Sequence, residues 1–238
     1  MKKIIATIFL LTSCASQIEI PQEYKYAEIK TDYFTIASWQ KINSSNAAVK
    51  IYIEGDGNSF NSKGYPTNNP TPRGKFFRGL AFNDVNENVV YLARPCQFVN
   101  DEKCTKLFWT TGRFAPEVIQ SMASAIKEVS QDSEVELVGF SGGGQVAGLV
   151  AVLHPEINVK FITNYAPNLN HETWTRDKRL LPLKDSMSLN NWQNEYLQIE
   201  QMTYIPEKDK IIEPYITIDF LKGDENKYKI VKGKGHNF

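Results

Sequence analysis

The stretch VELVGFSGGGQVAG, residues 135–148, constrains the fold more than any other part of the chain. A valine- and leucine-bearing run ends in a phenylalanine, a serine and three consecutive glycines, and an apolar run with helical spacing follows at once. A strand that feeds straight into a helix through such a turn is a unit of α/β sheets. The turn itself reads in two ways. Gly139-Phe140-Ser141-Gly142-Gly143 is G-x-S-x-G, in which a serine sits on a sharp strand-to-helix turn with its hydroxyl exposed. Gly142-Gly143-Gly144-Gln145-Val146-Ala147 is G-x-G-x-x-A, in which backbone N–H groups receive a pyrophosphate.

Two tests separate the readings. A dinucleotide turn needs an acidic residue at the end of the next strand to hold the ribose, and that strand ends Thr163-Asn164-Tyr165-Ala166, without a carboxylate. It also normally follows the first strand of its unit, whereas several strands precede this one. No Gly-Lys-Ser/Thr follows the run, which excludes a P-loop. The serine reading instead accounts for each glycine. Gly139 and Gly143 keep side chains out of a crowded turn, and Gly144 and Gly148 let the following helix lie close to the sheet.

The partners of a serine nucleophile should follow it in the order acid, then histidine. There are three histidines. His154 precedes Pro155 at a helix end, where capping explains it, and His171 comes before any plausible acid. His236, in Gly235-His236-Asn237-Phe238, falls just after the last strand, where a general base belongs. In YIPEKDKIIEP, Asp209 lies shortly after a strand and is the expected acid, with Glu207 its nearest rival. The oxyanion hole needs two backbone N–H groups. Gly142 should supply one, and the loop Gly55-Asp56-Gly57 the other, through the Asp56 N–H.

The rest of the chain agrees with an α/β domain having a mostly parallel central sheet flanked by helices. Residues 26–42 alternate as a two-stranded antiparallel edge meander; strands are expected at 47–54, 88–93, 133–140, 158–166, 201–205 and 228–232. Helices are expected from about 75 to 81, at 115–129, at 144–154 and around 211–222. Residues 57–74 read as a Pro/Asn/Thr/Gly-rich loop. The segment 167–200 is long enough only for a small lid, so no large cap domain is present. Asn168, Asn170 and His171, after the strand that follows the nucleophile helix, are expected to line the site and to favour a small or medium neutral ester.

The first residues do not belong to this domain. Lys2 and Lys3 precede an apolar run, residues 4–11, too short to span a bilayer and shaped like a signal peptide. The run ends Leu11-Thr12-Ser13-Cys14, which resembles a bacterial lipobox. That resemblance implies cleavage before Cys14, its lipidation, and a membrane anchor. The expected division is a signal peptide at 1–13, a tether at 14–25 and one domain at 26–238. Ala15 points to the periplasmic face of the outer membrane. Acidic and basic residues balance at 27 each, so nothing argues for a nucleic-acid partner. In an oxidising envelope Cys96 and Cys104 can pair as a disulfide, two free thiols being the alternative. Phe108 and Trp109 of that loop are candidates either for the site or for the core.

Over roughly residues 45–238 the chain resembles the α/β-hydrolase superfamily. More narrowly, it is similar to bacterial envelope hydrolases, often lipoproteins. The matching pieces are YIEGDG, YLARPCQ, FWTTGRF, GFSGGG, NLNHETWT and GHNF. The familiar His-Gly of the oxyanion loop is Glu54-Gly55 here, and the glycine that often begins the acid turn is Pro206. The resemblance implies two-step acyl transfer by Ser141, His236 and Asp209 on a small-molecule ester, a thioester or an envelope acyl substrate. It implies no metal or other cofactor. A peptidase or acyltransferase would use the same triad, and a binding or scaffold lipoprotein could keep the fold without turnover. Neither the substrate nor the oligomeric state is legible.

Overall fold

The structure, a computed structural model, describes residues 20–238. The expected signal peptide and Cys14 lie outside the described residues. Eight strands form one sheet in the order β1-β2-β4-β3-β5-β6-β7-β8. They are β1 (Lys25–Lys30), β2 (Thr35–Ile42), β3 (Val49–Ile53), β4 (Asn88–Leu92), β5 (Val135–Phe140), β6 (Val159–Tyr165), β7 (Gln201–Pro206) and β8 (Tyr228–Val231). β2 runs antiparallel to both β1 and β4, and every pairing from β4 to β8 is parallel. The helices are α1 (Phe76–Phe82), α2 (Pro116–Ser130), α3 (Gly142–Leu153), α4 (His171–Asp177), α5 (Gln193–Leu197) and α6 (Pro214–Phe220). Among the described residues no helix is long and apolar enough to cross a membrane.

The period of two along the central strands sorts side chains into two different cores. Ile51 and Ile53 of β3 and Val90 and Leu92 of β4 face an aliphatic layer under α2 and α3. The residues between them, Tyr52, Val89 and Tyr91, face an aromatic layer with Trp39 and Phe77. β4 is buried at all five positions, as expected of a strand covered on both faces. Along α2, Val118, Ile119, Met122, Ala123 and Ile126 are buried at helical spacing, and Pro116 opens the helix, where its missing N–H costs nothing.

Three expectations change. Tyr24 is buried and donates a hydrogen bond to the Ala81 carbonyl at 2.7 Å. The packed domain therefore reaches back into the stretch expected as tether, because an aromatic ring at that position finds the hydrophobic layer beside β2. The helix expected around 211–222 is shorter, because residues 211 and 212 give their N–H groups to the Asp209 carboxylate instead. The segment 167–200 is mostly not a lid. Tyr196 of α5 and Leu189 are fully buried, and a Cβ on Gly148 would stand 2.6 Å from Leu189 Cδ2. Gly148 thus admits this segment against α3, rather than bringing α3 to the sheet.

Strand order sets where a site can form. From β3 the chain moves to β4 on one side, then returns past β3 to β5 and continues the other way. The crevice beyond the carboxyl ends of β3 and β5 lies at that reversal, the position where open parallel sheets bind ligands.

Candidate active site

Ser141 follows the last residue of β5 and precedes the first of α3, with φ 51° and ψ −121°. A residue with a side chain rarely adopts this conformation, which costs on the order of 1–3 kcal/mol. Tight packing enforces it. A Cβ on Gly139 would stand 2.5 Å from Gly144 Cα, and one on Gly143 would stand 2.2 Å from the Ile53 carbonyl oxygen. The turn is further held by the Ser141 N–H to the Tyr165 carbonyl and by the Asn168 N–H to the Ser141 carbonyl, both 3.0 Å.

His236 stands on the loop after β8, with Nε2 3.1 Å from Ser141 Oγ. Its Nδ1 lies 2.7 Å from Oδ2 of Asp209, on the turn after β7. With its proton on Nδ1, the ring donates to Asp209 and offers Nε2 to the serine hydroxyl. The second oxygen of Asp209 accepts the N–H groups of Ile211 at 2.8 Å and Ile212 at 3.0 Å. Glu207 is exposed and accepts the Gly233 N–H at 2.7 Å, so it ties the two loops together and does not face His236. Phe238 stacks on Phe76 with centroids 5.0 Å apart, and the His236 ring lies 5.2 Å from that of Phe140. An aromatic wall therefore fixes the histidine loop. His154 caps the end of α3, as expected.

The loop after β3 closes the opposite side. Asp56 and Gly57 line the same cleft as Ser141 and His236. Among the described residues, the N–H groups of Asp56, Gly57 and Gly142 have no hydrogen-bond partner. Gln97 Nε2 donates to the Gly55 carbonyl at 3.0 Å, and the Gly55 N–H donates to Glu54 Oε1 at 2.8 Å. Glu54 is buried against the Tyr91 hydroxyl. Burial pushes its carboxyl above the usual range, outweighing those two hydrogen bonds.

Sequence reasoning missed Arg94 and Arg113, both buried and both paired with Asp56. Burial alone would raise the Asp56 carboxyl, but the two guanidiniums outweigh it and hold the group below the usual carboxylate range. The two arginines stand inside YLARPCQ and FWTTGRF, but neither segment points to a pairing with Asp56. The Cys96–Cys104 disulfide is formed, with Cα atoms 5.6 Å apart, and it closes the loop that carries Gln97. Trp109 is core, its Nε1 donating to the Thr67 carbonyl, and Phe108 packs on Phe34; neither lines the cleft.

The cleft has a volume of about 590 Å³, and its walls include Phe60, Phe76, Phe77, Phe140 and Trp174. Asn168, Asn170 and His171 are not among its lining residues, contrary to expectation. Asn168 and His171 are buried, His171 stacking on Phe114 and contacting the Met187 carbonyl, while Asn170 caps α4. Of α4, only Trp174 lines the cleft. A second depression, of about 410 Å³, lies at the far end of the strands between residues 45–48 and 131–134 and holds no nucleophile–base pair.

No family model and no curated protein matches this sequence. Solved structures do match its fold. The protein Est1E from Butyrivibrio proteoclasticus is 11% identical with a TM-score of 0.60, covering 90% of each chain. The esterase Pf2001 from Pyrococcus furiosus is 15% identical with a TM-score of 0.62, over 90% of this chain and 82% of that one. A serine hydrolase, CCSP0084, from Cycloclasticus zankles is 12% identical with a TM-score of 0.57, over 90% and 92%. The chain has the α/β-hydrolase fold.

Proposed function

We propose that the protein is a serine hydrolase that cleaves a carboxylic ester or thioester through an acyl-enzyme. The observation that supports this most is the continuous chain from Ser141 Oγ through both nitrogens of His236 to Asp209. In this reading His236 Nε2 takes the hydroxyl proton as Ser141 attacks the substrate carbonyl. Asp209 stabilises the imidazolium, and the proton then passes to the departing alcohol. Water, activated by the same histidine, releases the acid. The N–H groups of Gly142 and Asp56 hold the tetrahedral oxyanion. The fold shared with esterases supports the same reading. The test is fluorophosphonate labelling and p-nitrophenyl ester turnover, both expected to vanish in Ser141→Ala with the fold intact. An active Ser141→Ala would sink the proposal.

The substrate in this reading is a neutral ester of small or medium size. A cleft of about 590 Å³ with aromatic walls falls in the ordinary range of small-molecule sites. A four-carbon acyl ester should turn over faster than a sixteen-carbon one, and the reverse ranking would refute this. We place the enzyme at the bacterial cell envelope, anchored through Cys14, on the strength of the lipobox-like sequence. Cys14→Ser should leave it soluble or unprocessed; an unchanged need for detergent would count against the anchor.

A further inference from the structure

A carboxylate beside an oxyanion hole is an electrostatic liability, because it repels the charge that develops in the transition state. Asp56 is such a group. Its N–H is one of the two proposed donors, and its side chain turns toward the other: a Cβ on Gly142 would stand 2.1 Å from Asp56 Oδ1. Gly142 is therefore glycine to make room for this carboxylate, a requirement that the nucleophile turn alone does not impose. The carboxylate meets the first turn of α3, where the positive end of the helix dipole favours an anion.

Two arginines complete the arrangement. Arg113 Nη1 lies 2.5 Å from Asp56 Oδ2, and Arg94 Nη1 lies 3.4 Å from Oδ1. Arg113 is itself oriented by its Nε to the Thr110 carbonyl at 2.8 Å and lies between the rings of Phe60 and Trp174, at 5.6 and 5.9 Å. Arg94 donates to the Arg113 carbonyl and lies 5.2 Å from the Phe114 ring. Two permanent cations thus face one carboxylate. The liability is offset.

We propose that the Asp56 side chain, clamped by Arg113 and Arg94, is a brace that fixes the distance and orientation between the two oxyanion donors, the Gly142 and Asp56 N–H groups. This rests on the hydrolase reading and assigns Asp56, Arg94 and Arg113 as positioning residues within it. The brace acts in the transition state, so its loss lowers kcat with little change in KM.

The experiment measures p-nitrophenyl butyrate kinetics, inhibition by a trifluoromethyl ketone, and melting temperature for Asp56→Asn, Arg113→Met, Arg113→Lys and the double variant Asp56→Asn/Arg113→Gln. Displacing one donor should lower kcat about 10²-fold, with the ketone weakened by the same factor and KM nearly constant. Arg113→Lys should recover part of the loss. The double variant removes Asp56 and Arg113 together and leaves only Arg94 without its carboxylate, so its melting temperature should recover in part while kcat does not. If Asp56→Asn does not fold, the double variant decides. A folded Asp56→Asn with parental kcat overturns the brace, as does a double variant whose kcat returns with its stability. A parent that neither labels with fluorophosphonate nor hydrolyses any ester overturns the hydrolase reading and the brace with it; an active parent with unaffected variants overturns the brace alone.

Discussion

Asp209 and Asp56 flank the same serine and are held by opposite means. The Asp209 side chain is fully buried and receives only neutral donors, two peptide N–H groups and the imidazole. The Asp56 side chain keeps 19% of its exposure and meets two guanidiniums. In the proposed mechanism the difference follows from what each carboxylate must do. A carboxylate that steadies a transient imidazolium gains most when no fixed cation has already quenched its charge. Asp56 has no such role and has to be neutral in effect at every step. Permanent cations suit it, and although burial pulls Arg94 down to about 10, that still leaves it charged at neutral pH.

The sharpest way to break this comparison is to neutralise each carboxylate in turn. Asp209→Asn keeps the shape and loses the charge, and the comparable change in serine proteases costs about 10⁴ in kcat. In steady-state kinetics we expect a loss of that order, about two decades beyond the loss for Asp56→Asn. Equal losses at the two positions would mean that both carboxylates serve the histidine, or that neither does.

The two regions were also unequally legible in the sequence. That Ser141, Asp209 and His236 meet could be read because their chain order and their places after strands are what the proposed chemistry would dictate. That Asp56 lines the same cleft could be read for the same reason. Its side-chain partners could not, since Arg94 and Arg113 are brought to it by the loops after β4 and before α2, and nothing local in either loop announces a pairing. Asn168 and His171 failed in the other direction. Polar residues after a parallel strand usually face the crevice, but here Asn168 is buried against the nucleophile turn and His171 against Phe114. Tertiary packing overrode the position in each case.

The disulfide tests the arginine side by itself. Cys96–Cys104 lies in the loop between Arg94 and the buried Trp109. Replacing both cysteines with serine should cost about 2.6 kcal/mol in denaturant unfolding, from the freed chain entropy of so short a loop. Because the loop also carries Gln97 against the Gly55 carbonyl, kcat should fall as well, while fluorophosphonate labelling of Ser141 persists. An unchanged kcat would mean that the loop plays no part in holding Asp56. Glu207→Gln probes the opposite side. Its carboxylate only ties Gly233, so kcat should change by less than about tenfold. A crippled Glu207→Gln beside a nearly normal Asp209→Asn would reverse the assignment of the acid.

The smallest effect concerns a carboxylate away from the site that meets one lysine instead of two arginines. Asp84 accepts the Tyr52 hydroxyl at 2.6 Å and the Asn86 N–H at 2.9 Å, and Lys50 Nζ lies 3.1 Å away. Burial raises its carboxyl, but these three partners outweigh it and hold the group at about 2, against an ordinary 3.8. A folded value below the unfolded one means that the stabilisation is present above about pH 4 and is lost as pH falls toward 2. The full shift would correspond to about 2.4 kcal/mol, and solvent screening at this half-buried position reduces that to ~1 kcal/mol. Asp84→Asn should therefore be less stable than the parent by about that amount at pH 6, and the gap should close by about pH 2. Urea unfolding of both proteins at the two pH values measures it. A gap that stays constant would show that Asp84 acts by packing rather than by charge.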